Sequence, residues 1–319
     1  MLRKDDISLR NTKNPLASQG DCDFWDTVMY WIFTFCGISA VAAVLGIFIY
    51  MMLSGLPAIR EIGLANFLFG VSWNPTASKP SFGIFPMVVS SAAGTLLAVI
   101  VAVPAGVLTA VFLAEIAPEW LCRAVRPAID LMAGIPSVIY GMLGAVLIVP
   151  MMRKAENWLF RESSSHLFTG GANLLSAVIV LAVMILPTIV HISEISIRSV
   201  PAEYREASLG LGASKMETVF RVVLPAARPG IVSGVALGVG RAVGEAMAVM
   251  MVSGNTVHFP LPFHSVRFLT TGIVTEMGYS SGLHRKALFS IGLVLFIFIL
   301  LLNLFLEAAL KRGDGCCVR

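Results

Sequence analysis

The chain is 319 residues long, 57% hydrophobic and only 13% charged, with a mean hydropathy of +0.84. Soluble domains carry charge on roughly a quarter of their residues, so this much apolar surface excludes a single water-soluble core and requires a bilayer. The net charge of +4 is spread over polar segments that contain no nucleic-acid-binding motif, so it implies no nucleic-acid partner.

In chain order, the first 26 residues are polar and carry both signs of charge. The apolar run behind them reaches residue 53, too long for the core of a secretory signal, and predicts an uncleaved first span. Crossing a bilayer takes about 20 helical residues, and six segments qualify: 27–53, 84–116, 128–151, 174–192, 230–252 and 287–310. The predicted fold class is all-α, a polytopic membrane protein with six transmembrane helices. A tail at 1–26, a span domain at 27–310 and a tail at 311–319 complete the expected organisation. Pro104 predicts a kink in the second span and Pro136 one in the third. No repeat relates the first three spans to the last three, which argues against an inverted-repeat secondary transporter.

Fourteen Lys and Arg residues fall in the amino-terminal tail, loops 117–127 and 193–229 and the carboxyl tail; eight fall in the other loops. The richer side belongs in the cytoplasm, so both termini are expected there. The cysteines (Cys22, Cys36, Cys122, Cys316 and Cys317) lack paired CxxC spacing, so no metal site is expected from them. None lies in an outer loop, so no disulfide is expected there, and Cys316–Cys317 reads as a pair of free thiols.

On the third span Asp130, Gly134, Ser137, Gly141 and Gly144 share one helical face. Loop 193–229 is the longest on the cytoplasmic side. Pro201 opens a short helix there, Gly210 and Gly212 end it, and Ser214-Lys-Met-Glu217 reads as a capping box that starts a second helix. Leu224-Pro225 is expected to close that second helix. A helix, a tight turn and another helix suit docking against a partner protein.

The fifth span holds Arg241 and Glu245 near its centre. A charge at that depth costs about 2.5–3.5 kcal/mol even on the lenient insertion scale, so such residues usually face a bundle interior or a watery cavity. Their i,i+4 spacing predicts an ion pair on one helix face. Gly230, Gly234, Gly238 and Ala248 fall in the same arc of about 80°, while Val232, Val235, Val239, Val243 and Met250 lie opposite. This face and that of the third span are the expected lining of a solute path: Arg241 offers a planar fork of donors to an oxyanion, and Glu245 orients it. A purely structural ion pair is the competing reading of the same two residues.

The cytoplasmic loop resembles the signature of ABC-importer permeases: Glu206-Ala207-Ser208, then Gly212, then Val222, then Leu224-Pro225, with both family spacings kept. Ser208 and Val222 replace the usual alanine and isoleucine. Gly240-Arg241-Ala242-Val243-Gly244-Glu245-Ala246-Met247-Ala248-Val249 is similar to a segment of PstC-type phosphate permeases. Trp73-Asn74-Pro75, Gly134-Ile135-Pro136-Ser137 and Ser253-Gly254-Asn255 extend that likeness from about residue 30 to about residue 312. The resemblance implies a type I ABC importer permease fold in the bacterial inner membrane. It implies phosphate as cargo, Glu206, Ala207, Gly212, Leu224 and Pro225 in an ATPase-coupling loop, and no cofactor. The implied partners are a PstA-like second permease, a PstB-like ATPase dimer and a PstS-like periplasmic phosphate-binding protein. No GxxxxGK[ST] loop occurs, so ATP hydrolysis is expected on a separate subunit. Molybdate or sulfate as cargo, and an ion-coupled transporter that protonates Glu245, are the alternatives. Outer-loop His166, His258, His264 and His284 are expected to face solvent, His191 is expected at an interface, and no catalytic constellation assembles.

Overall fold

A computed structural model describes residues 19–161 and 167–314. Most of the amino-terminal tail, His166 and Cys316–Cys317 lie outside the described residues. The described residues divide into two compact units, with the boundary between Tyr50 and Met51. Within the first, the described residues are the start of helix α1 (Gln19–Ile62), whose apolar side chains such as Phe33, Phe35 and Ile38 are exposed along its length. That surface suits lipid, not water.

The second unit begins with the end of α1 and a short helix α2 (Leu64–Phe69), followed by a hairpin of strands β1 (Trp73–Asn74) and β2 (Ser81–Phe82). Trp73 pairs with Phe82 and Asn74 with Ser81, a small exception to the all-α expectation. Helix α3 (Phe85–Val111) runs through Pro104 into a π turn at Phe112–Ile116. Helices α4 (Glu119–Gly134), α5 (Ser137–Leu143) and α6 (Val149–Leu159) follow, with a second π turn at Gly144–Ile148. Then come α7 (Leu174–Arg198), α8 (Ala202–Gly210), α9 (Lys215–Thr218), a third π turn at Val219–Val223, and α10 (Leu224–Gly244). Last are α11 (Met247–Val252), α12 (Leu269–Glu276) and α13 (Gly282–Asp314).

Six helical runs among the described residues are long and apolar enough to cross a membrane, as the hydropathy predicts. Two of the expected spans differ from the observed ones. The third is not 128–151: Ile135 and Pro136 are extended, so α4 ends at Gly134 and the spanning run is Ser137–Leu159. The residue before a proline is pushed out of the helical region, and at Ile135 this breaks the helix where only a kink was expected. The fifth span starts earlier, at Lys215. Leu224-Pro225 does not close a helix. Pro225 lacks an N–H, and the π turn before it carries the helix through, with the Leu224 amide donating to the Val219 carbonyl.

Helix α7 is the core of the second unit. Met184, Ile185, Ile189 and Val190 are fully buried, so its apolar side packs against the neighbouring helices. Glycines let its neighbours approach. A Cβ on Gly106 of α3 would lie 2.8 Å from Ile189, and Cβ atoms on Gly234 and Gly238 of α10 would lie 3.0 Å from Ile192 and Ile189. The small-residue stripe of the fifth span is therefore spent on helix contact. It does not line an open path. Opposite it, Val239 and Val243 are buried too.

Candidate functional site

Two interruptions meet in this core. The break at Ile135–Pro136 precedes α5, a second break at Glu245–Ala246 precedes α11, and the two short helices pack together. A Cβ on Gly141 would lie 2.8 Å from the Ala248 Cα, so backbone meets backbone there. Interrupted helices at membrane depth occur where backbone is buried in protein or lines a cavity.

The second break removes the expected ion pair. Glu245 takes an extended conformation and its carboxylate accepts from the Ala248 amide at 2.9 Å, capping α11. Its carbonyl accepts from the Thr270 hydroxyl at 2.8 Å. The i,i+4 geometry needs a continuous helix, and among the described residues no ion pair joins Arg241 to Glu245. Arg241 instead donates from Nη1 to the Thr188 hydroxyl of α7 at 3.4 Å, and it acts electrostatically on Tyr140, whose hydroxyl donates to the Met132 carbonyl at the end of α4.

Asp130 lies on α4, outside the third spanning run. It faces His191 of α7 at 3.4 Å, with both side chains more than half exposed. Thr188 and His191 are one turn apart, so α7 brings Arg241 and Asp130 to adjacent turns of one face. That face continues into Glu194 and Arg198. Glu194 is nearly buried and accepts from Arg126 at 2.7 Å and from Arg198 at 2.9 Å. Asp130, His191, Glu194, Arg126 and Arg198 border a cavity of about 230 Å³. This polar track was missed in the sequence because its members fall on three different segments, and only the three- and four-residue spacing along α7 could have shown it. Ser137 opens α5, half-buried, and Gly134 has open space around it.

The loop after α7 forms the expected compact feature. α8 ends at Gly210, and Gly212 takes a φ of +88°, a left-handed conformation that suits glycine. Ser214 caps α9. Its hydroxyl accepts from the Glu217 amide at 3.3 Å while its own amide donates to the Glu217 carboxylate at 3.0 Å. Helix α9 begins a run of 30 residues to Gly244, about 45 Å long against a hydrocarbon core of about 30 Å, so its first turns lie outside the membrane. There the Ser214 amide and hydroxyl hold the Glu217 carboxyl below the usual range. Glu206 and Ala207 are exposed, and so are the apolar Tyr204, Leu209, Leu211 and Met216. Leu211 is 91% exposed.

Beneath that surface the loop is fastened. Arg205 of α8 donates to Glu115 at 2.7 Å and to the carbonyls of Ile197 (2.9 Å) and Val200. Arg198 donates to the Leu113 carbonyl at 2.9 Å.

On the opposite side, His284 does not face solvent as expected. It lies 2.8 Å from the buried Glu276, which also accepts from the Trp73 indole at 2.9 Å and pairs with Arg267. The reason is charge: a buried carboxylate needs partners. His258 is exposed.

The family of binding-protein-dependent transport system inner membrane components matches residues 102–313. A probable ABC transporter permease protein, YqgH of Bacillus subtilis (strain 168), is 40% identical over 281 residues, covering 85% of this chain and 88% of that protein. The phosphate transport system permease protein PstC of Pasteurella multocida (strain Pm70) is 35% identical over 263 residues, 78% of this chain and 82% of that one. Among solved structures, a bacterial alginate ABC transporter, in complex with its alginate pentasaccharide-bound periplasmic protein, superposes with a TM-score of 0.60 at 15% identity. It covers 90% of this chain and 97% of that one, a likeness of fold.

Proposed function

We propose, from the premise that this chain belongs to the family of binding-protein-dependent transport system inner membrane components, that it is the permease subunit of an ATP-driven importer of inorganic phosphate. It is a multi-pass protein of the bacterial inner membrane and a transport component with no chemistry of its own. The relatives named as phosphate permeases support the cargo. Its assembly partners are an ATPase and a periplasmic binding protein. In finer detail we assign a PstA-like second permease, a PstB-like ATPase dimer and a PstS-like phosphate-binding protein, with both termini of this chain in the cytoplasm.

The observation that carries the reading is the setting of Arg241. A guanidinium roughly 16 Å along α10 from Gly230, beside a helix break, has a single neutral hydroxyl as its hydrogen-bond partner among the described residues. A planar fork with donors to spare suits a tetrahedral oxyanion. Glu245, engaged at the start of α11, leaves that fork unneutralised by direct contact. From Arg241 the polar face of α7 (Thr188, His191 and Arg198) leads toward the docking loop, with Asp130 and Glu194 offsetting its charge so that cargo is released instead of trapped. Ser137 and Gly134 border the same interrupted region.

The test is uptake into proteoliposomes that hold the complete complex, with labelled phosphate, sulfate and molybdate offered through the cognate binding protein. Phosphate uptake that requires ATP is expected, and Arg241→Gln should abolish it while leaving the complex assembled. Uptake driven by a proton gradient without ATP would replace this reading by an ion-coupled one.

A further inference from the structure

We infer that Arg205 is the positioning residue that ties the ATPase-docking loop to the ends of two membrane helices, and that the tie sets how much transport each ATP yields. This rests on the proposed role of loop 193–229 as the docking element.

The motif that marks the loop (Glu206, Ala207 and Gly212) accounts for its outer surface and its turn. It does not account for Arg205, whose side chain points the other way. The arginine carboxylate pair it forms with Glu115 is largely withdrawn from water, with the two side chains 23% and 12% exposed. Two donors, Nε at 3.1 Å and Nη2 at 2.7 Å, converge on one Glu115 oxygen. The remaining donors reach the carbonyls of Ile197, in the last turn of α7, and of Val200, just beyond it. A cation is favourable at that helix end, where carbonyl dipoles converge.

Glu115 belongs to the π turn that ends the second span, so one guanidinium joins three elements: α8, the end of α7 and the end of the α3 run. Arg198 makes a parallel link, from α7 to the Leu113 carbonyl of the same π turn. The Ser208 hydroxyl adds a 2.9 Å contact to Thr218 at the start of the fifth span's helix. A displacement imposed on α8 by a partner therefore reaches the second and fourth spans through fixed hydrogen bonds. Without Arg205, α8 would be joined to α7 only by the three residues between them, with the Ser208–Thr218 contact remaining to the fifth span. The neighbouring pair Arg123–Glu119, with side chains 77% and 92% exposed, is a natural contrast, since exposed pairs hold little.

The experiment uses the assembled transporter in proteoliposomes, with ATP hydrolysis and phosphate uptake measured on one preparation. Arg205→Lys keeps the charge and loses the fork; Glu115→Gln keeps the shape and loses the charge; Arg123→Gln is the control. The inference expects both tie variants to retain the ATPase and its hydrolysis within about twofold, while phosphate moved per ATP falls at least about fivefold, the scale of a typical coupling between sites. The double variant should be no worse than either single one, as for residues acting as a unit, and the control should be unchanged. An unchanged ratio in both tie variants overturns the inference, and so does a fall in uptake matched by an equal fall in hydrolysis. If Arg205→Lys does not assemble, Glu115→Gln decides alone. Failure of the underlying reading looks different: Gly212→Val, which distorts the turn itself, would then leave ATPase binding intact.

Discussion

A carboxylate at the start of a helix satisfies an orphan amide whether or not a cation stands one turn back. Glu245 is placed this way on α11, and its two amino-acid replacements separate the roles. Glu245→Gln keeps an oxygen for the Ala248 amide, so protein yield and thermal stability should be unchanged, whereas Glu245→Ala should cost about 1 kcal/mol, as lost caps do. Melting of the purified protein in detergent checks both. The same geometry decides a contest over Arg241. Were the two residues a structural ion pair, neutralising both would restore transport lost in Arg241→Gln. With no pair between them, the double variant Arg241→Gln, Glu245→Gln is expected to stay inactive, and recovered uptake in it would falsify the assignment of Arg241 to the anion.

At the scale of elements, glycines fall into two kinds. Gly234 and Gly238 exist for contact with α7, and Gly238→Leu should cost about 1–3 kcal/mol through overpacking. Gly240 has open space around it, and Gly240→Ala should be neutral or slightly stabilising. A pair of melting curves distinguishes them. The docking turn makes a third case: Gly212→Asn should couple normally because Asn tolerates positive φ, while Gly212→Val should not; co-purification of the ATPase reads this out. Much of the element order was legible in sequence, since runs of apolar residues mark spans regardless of what packs on them. Ser214 and Glu217 announced a helix start, and Gly212 a turn, because capping and left-handed backbone are local chemistry. The breaks were less legible. Apolar periodicity continues across both, and at Glu245 no proline marks the interruption, only a glycine and an acid before an apolar run. Arg205 and Glu115 are 90 residues apart, and nothing local to either names the other.

For the whole molecule, sidedness is the first measurable property. Cysteines placed singly at Ser78 or Ser281, both exposed, in a background without other cysteines should react with an impermeant maleimide added to intact cells. One at Ser214, also exposed, should react only after permeabilisation. Reaction at Ser214 in intact cells would reverse the orientation and detach the docking loop from any cytoplasmic ATPase. The unbroken helical run from Lys215 to Gly244 adds a consequence of another kind. Arg241 lies about 30 Å along it from Arg221 in the π turn, and no flexible joint intervenes. With the proposed docking loop at its start, the run would act as a lever. A tilt of about 10° there would sweep the guanidinium sideways by about 5 Å, comparable to the width of a tetrahedral oxyanion, and because Gly234 and Gly238 are interlocked with α7, that helix would be carried along in the same stroke.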